Sequence, residues 1–128
     1  MNDDLRQAHE KLKAYALSLP GAYEDHPWGE SVIKVNKKIF VFFGLPEHLD
    51  KRLYLGVKLP ETSPYAVMMS FAKAAGYGLG KHGWISAELT PDDSLPLDML
   101  LEWIEESYRA VAPKRLVAEL EARHATVT

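Results

Sequence analysis

The hydrophobic period of this chain changes along its length, from the steps of three and four that mark a helix to steps of two joined by very short turns. Ile33 and Val35, then Ile39, Val41 and Phe43, alternate around Asn36-Lys37, and Leu53, Leu55, Val57 and Leu59 alternate again after Leu45-Pro46-Glu47. Such alternation sends every second side chain to one face of a pleated strand. Parallel neighbours need a crossover of about a dozen residues, so strands joined this closely are antiparallel. Asn36 tolerates the left-handed backbone of a tight hairpin turn, and the lysines beside it keep the tip wet. Phe40 and Phe42 fall on the face opposite Val41, so the second strand is expected to be apolar on both sides and to need a cover.

Helical periodicity brackets these strands. Leu5, Ala8, Leu12, Tyr15, Ala16 and Leu19 make one stripe, stopped by Pro20-Gly21; Leu97, Leu100, Leu101, Ile104, Tyr108 and Val111 make a stronger one, stopped by Pro113. Leu116, Val117 and Leu120 follow as a shorter face. Ser63-Pro64 offers a cap and a first-turn proline and Gly76 a stop, which predicts a helix carrying Tyr65, Met68, Met69 and Ala72. Trp84, Ile85, Ala87 and Leu89 suggest one more short strand. The expected order is therefore α-β-β-β-α-β(β)-α-α. It describes an α+β fold, a single two-layer domain over residues 1–128 with an antiparallel sheet of about five strands and flanking helices. At 128 residues, with 47% hydrophobic and 26% charged residues, one core needs no disulfide or metal staple.

Several function classes are disfavoured at once. The chain has no cysteine, hence no thiolate nucleophile, disulfide framework or cysteine-ligated zinc. No apolar run approaches the roughly 20 residues that cross a bilayer, and Met1-Asn2-Asp3-Asp4 is acidic where a secretory signal is basic. A cytoplasmic protein with no membrane partner is expected, as a monomer or weak dimer. His9, His26, His48, His82 and His124 show no helical i, i+4 pair and no metal-protease spacing, so no metal site is expected.

Two strings mimic chemistry. Gly78-Leu79-Gly80-Lys81-His82-Gly83 matches the dinucleotide fingerprint literally, with Asp98 about 20 residues on. A pyrophosphate site needs a strand before the loop and a helix N-terminus after it, whereas this loop is expected to leave a helix and enter the Trp84 strand. No cofactor is expected there. Glu24-Asp25-His26 places two carboxylates beside an imidazole, and an enzyme built on Glu24 and His26 would require them to converge in a cleft. A loop that docks Trp28 explains the same residues without catalysis.

The basic residues gather at predicted turns: Lys34, Lys37 and Lys38 on the hairpin, Lys51 and Arg52 before the third strand, Lys81 and His82 in the glycine loop. Cations on β-ribbons suit phosphates, with Asn36 and Trp84 adding hydrogen bonding and stacking. Lysines at hairpin tips also serve solubility, and the net charge of −3 gives no overall attraction to nucleic acid.

The element order, with Leu19-Pro20-Gly21-Ala22, His26-Pro27-Trp28-Gly29, the Val35 to Phe40 hairpin, Trp84-Ile85-Ser86 and Glu106-Ser107-Tyr108-Arg109, resembles the MmcQ/YjbR family from about Leu5 to Leu116. The resemblance implies a compact α+β fold like that of secretion chaperones and a proposed double-wing mode of DNA binding. One namesake from an antibiotic-biosynthesis cluster implies small-molecule binding instead. Two readings follow. In the first, a non-enzymatic DNA-binding protein meets phosphates through Lys34, Lys37, Lys38, Lys51, Arg52, Lys81 and His82, aided by Asn36 and Trp84. In the second, Tyr54, Met69, Tyr77 and Trp84 line a pocket between sheet and helices for a small molecule or peptide.

Overall fold

The computed structural model describes residues 3–76 and 78–127. Asp3–Ser18 winds into α1, whose Leu5, Leu12 and Ala16 are fully buried. Pro20 and Gly21 end it: Gly21 takes φ of 74°, and a side chain there would run into Leu116. The chain then lays down β1 (Tyr23–Asp25), β2 (Ser31–Val35), β3 (Lys38–Gly44) and β4 (Leu53–Lys58). A short helix α2 (Ser63–Ala66) leads to β5 (Ala72–Ala74) and β6 (Trp84–Leu89), and two long helices close the chain, α3 (Leu97–Val111) and α4 (Lys114–Val127).

The architecture is α+β: one antiparallel sheet of six strands in the order β1-β2-β3-β4-β6-β5, with helices against it. Alternation sorts its side chains as the sequence pattern requires. Ile33, Val41, Leu53, Leu55, Val57, Ile85, Ala87 and Leu89 are buried in one continuous core with α1 and α3. Burying one such aliphatic side chain contributes about 1.5–3 kcal/mol. Asn36 and Lys37 turn the β2-β3 hairpin with φ of 50° and 68°, the left-handed pair that matches strand twist.

Three local expectations are corrected. The helix expected from Ser63 to Gly76 stops at Ala66, because Ala72–Ala74 instead pairs with Ala87, Ser86 and Ile85 as an edge strand. Tyr23–Asp25, read as loop, pairs with Lys34, Ile33 and Val32. Phe40 faces the helices rather than the opposite side. The β2-β3 register shifts between Ile33 and Lys34, and this irregularity buries Phe40 and Val41 together, with Phe40 edge-on to Tyr108 at 5.3 Å.

Four consecutive residues of α3 tie the layers together. Glu106 accepts hydrogen bonds from the Glu61 and Thr62 N–H groups and from the Thr62 hydroxyl. The Ser107 hydroxyl donates to the Phe40 carbonyl at 2.6 Å and accepts from the Lys58 N–H at 2.8 Å, standing in for a ladder rung between β3 and β4. Tyr108 donates to the Pro20 carbonyl at 2.6 Å, and Arg109 bridges Glu105 and Glu121. Each of these groups therefore has a structural partner.

Candidate functional site

The residues that alternate with the core strand positions form the other face of the sheet, and there the chain builds a cleft of about 450 Å³. None of its described lining residues belongs to an α-helix. Cross-strand register sets its floor: Phe42 lies opposite Gly56, Gly56 opposite Ser86, and Tyr54 opposite Glu88. Phe42 and Trp84 meet edge to face at 5.5 Å. Gly56 keeps this floor low, since a Cβ there would come within 3.2 Å of the Phe42 Cβ. One rim comes from the Pro46–Asp50 turn and its flanks, with Leu45, His48 and Arg52; the other comes from Gly76 and Leu79.

Polar groups concentrate at one end. The Tyr54 hydroxyl and Ser86 Oγ lie 3.1 Å apart, and Arg52 reaches Glu88 at 3.4 Å with both side chains half exposed. Glu30 completes the wall. An apolar aromatic body with a few convergent donors and acceptors is the usual composition of a small-molecule site. Its volume falls in the common range of about 300–1,000 Å³.

Tyr54 and Trp84 line this cleft as the sequence suggested, but on the open side of the sheet rather than between sheet and helices. Met69 sits in the turn after α2 and takes no part in the lining, and Tyr77 lies outside the described residues. Alternation alone puts Phe42 on this face without marking it as part of a site, and a strand glycine such as Gly56 reads as a weak point. Their opposition across β3 and β4 was the signal available.

The cations divide. Antiparallel pairing brings the hairpin tip and the Leu79–His82 turn to the same end of the sheet, the end where Lys58 faces Trp84. Lys37, Lys38, Lys58 and Lys81 have no carboxylate within salt-bridge distance among the described residues. Lys51 and Arg52 stand at the opposite end of β4, about 20 Å away at the usual strand rise. Lys34 is held by Asp25 at 2.7 Å, and that hydrogen bond raises the Lys34 pKa while lowering that of Asp25.

Glu24 and His26 do converge, with His26 Nε2 2.9 Å from Glu24 Oε2, yet neither lines the cleft. Glu24 also takes Lys13 Nζ at 2.9 Å and the Ser31 hydroxyl at 2.7 Å. Burial pushes its carboxyl up, but the Lys13 and Ser31 hydrogen bonds outweigh it and leave the pKa below the ordinary value. This is a satisfied structural node joining α1, β1 and β2. The Gly78 loop runs from β5 through a 3-10 turn into β6, so the segment before it is a strand, not the expected helix, and no α-helix begins after it. Among the described residues no group of three or more His, Asp or Glu side chains is placed to hold a metal. None of the described helices is long and apolar enough to cross a membrane.

The model of the YjbR family matches residues 17–110, which span the entire sheet, the cleft and nearly all of α3. No curated protein matches the chain.

Proposed function

The chain belongs to the YjbR family, and from that premise we propose that it is a non-enzymatic binding protein whose site is the open-face cleft and whose ligand is a small organic molecule. The observation that carries this reading is the cleft itself. Aromatic walls, a glycine floor and a polar end made by Arg52, Tyr54, Ser86 and Glu88 converge on about 450 Å³ of free space. Covering a Phe and a Trp with a ligand removes apolar surface from water at about 25 cal/mol per Å². The Glu24 and His26 pair supplies no catalytic alternative, because it lies outside the cleft and Glu24 is already saturated with donors. Ligand-observed NMR with a small aromatic fragment library tests it. Hits should bind the wild type and be lost in Gly56→Val, whose side chain fills the floor, and in Trp84→Ala. Hits retained by both variants, or no hits, would contradict it.

A second reading is favoured by the shared end of the two proposed wings. DNA would meet Lys37, Lys38, Lys58, Lys81 and His82, with Asn36 and Trp84 nearby, while Lys34, Lys51 and Arg52 take no part. Four lysine contacts give a slope of log affinity on log salt of about −3 to −4. Fluorescence anisotropy of a short duplex at low salt decides: no binding, or binding unchanged in Lys37→Ala/Lys38→Ala/Lys81→Ala, rejects it.

A further inference from the structure

One side chain beside the cleft, which the sequence reading expected to be docked by its loop, stands almost wholly in water. Trp28 is 96% exposed, and its backbone lies in the left-handed region at φ 56° and ψ 28°, where a bulky residue is an outlier. The loop that carries it is well anchored: the Gly29 N–H bonds the His26 carbonyl at 3.3 Å, the Glu30 N–H bonds the Pro27 carbonyl at 3.1 Å, and His26 is held by Glu24. A fixed backbone thus holds an indole in water, forfeiting the burial that usually places such a ring. The same loop forms the cleft's edge. Glu30 is part of the wall, and Gly29 packs beside Leu45 of the rim, the Leu45 Cδ2 lying 3.8 Å from where a Gly29 Cβ would stand.

Resting on the cleft as the binding site, we propose that Trp28 is its missing wall: the indole folds over the mouth and clamps a flat heteroaromatic molecule against the Phe42 and Gly56 floor. The planar shape follows from the rings that would meet it, the Phe42 ring, which packs over Gly56 and stands edge to face with Trp84 at 5.5 Å, on one side and the Trp28 indole on the other. The charge follows from the lining. Two carboxylates, Glu30 and Glu88, line the cleft with a single guanidinium, Arg52, which already pairs with Glu88; this balance suits a neutral or singly cationic ring and opposes a multiply charged anion such as a phosphate ester. The Tyr54 and Ser86 hydroxyls share one hydrogen bond and keep one proton and their remaining lone pairs for heteroatoms on the ring's edge.

The chain's three tryptophans, Trp28 exposed, Trp84 in the cleft and Trp103 buried, give three indole N–H signals in a ¹H–¹⁵N spectrum. The probes are N-methylquinolinium, its saturated N,N-dimethyl analogue of equal charge, and a quinoline dicarboxylate. The flat cation should shift the Trp28 and Trp84 signals along one saturation curve and leave Trp103 in place. Trp28→Ala should weaken binding by about threefold to tenfold without lowering the melting temperature, and Trp28→Phe should recover most of it. Movement of Trp84 alone, with unchanged affinity in Trp28→Ala, overturns the clamp and leaves the cleft reading standing. Equal binding of the saturated cation or the dicarboxylate overturns the ligand class. A Trp28 signal that moves with protein concentration alone marks a self-association contact and overturns the clamp. No movement of either indole removes both the clamp and the cleft reading.

Discussion

Along β4, Leu53, Leu55 and Val57 point toward α1 and α3 and are fully buried, whereas the alternate residues Tyr54, Gly56 and Lys58 stand on the opposite face. The same contrast runs along β6, with Ile85, Ala87 and Leu89 against Trp84, Ser86 and Glu88. One backbone therefore serves two solvents. On the helix side the Ser107 hydroxyl completes both Phe40 and Lys58, and His9 Nδ1 is the one buried side-chain polar atom among the described residues left without a partner. On the open side aromatic rings and hydroxyls remain half wet. A half-wet aromatic face contributes little to folding and much to binding, because its apolar area is still available to be covered.

The sharpest way to break this contrast is to empty one position on each face. Leu55→Ala should cost about 2–5 kcal/mol in urea denaturation. The loss should appear without any change in ligand affinity per folded molecule. Ser107→Ala should cost about 1–3 kcal/mol, since it strands a buried carbonyl and a part-buried N–H. Acid should act next. The Glu24 pKa lies below its ordinary value in the folded chain, so the stability this node confers is present above the usual carboxylate pKa and is lost as pH falls through the folded value. Denaturation midpoints between pH 3 and pH 7 should flatten in Glu24→Gln on the acid side. Ser86→Ala, chemically identical to Ser107→Ala but on the open face, should change stability by no more than about 0.5 kcal/mol. A loss as large as that of Ser107→Ala would mean that the two faces are not different in kind.

How much of this was legible in the sequence varied with how local the cause was. The four strands with clear alternation and the Asn36-Lys37 turn could be read directly, because side-chain period and turn chemistry are local. β5 could not. Ala72-Lys73-Ala74 has the composition of a helix and becomes a strand only because β6 offers it a free edge. β1 hid in the same way behind two carboxylates, which turn out to neutralise Lys13 and Lys34. The sheet irregularity that redirects Phe40 depends on pairing with β2 and leaves no mark in a single strand. Among site residues, Tyr54 and Trp84 stood out as aromatics at alternating positions. Phe42 and Gly56 become a floor only when β3 and β4 lie side by side, and Arg52 faces Glu88 only across β4 and β6. The Glu106 to Arg109 motif, one of those that carried the family resemblance, clasps the fold.

Everything functional in this account depends on the open face being where ligands land. Amide ¹H–¹⁵N mapping of flat aromatic fragments on the wild-type protein tests that most directly. The account predicts saturable shifts clustered at Phe42, Leu45, Gly56, Leu79 and Ser86, with Leu5, Leu12 and Ile104 on the helix side unmoved. Shifts centred on the helices, or spread over the surface without saturation, would contradict it.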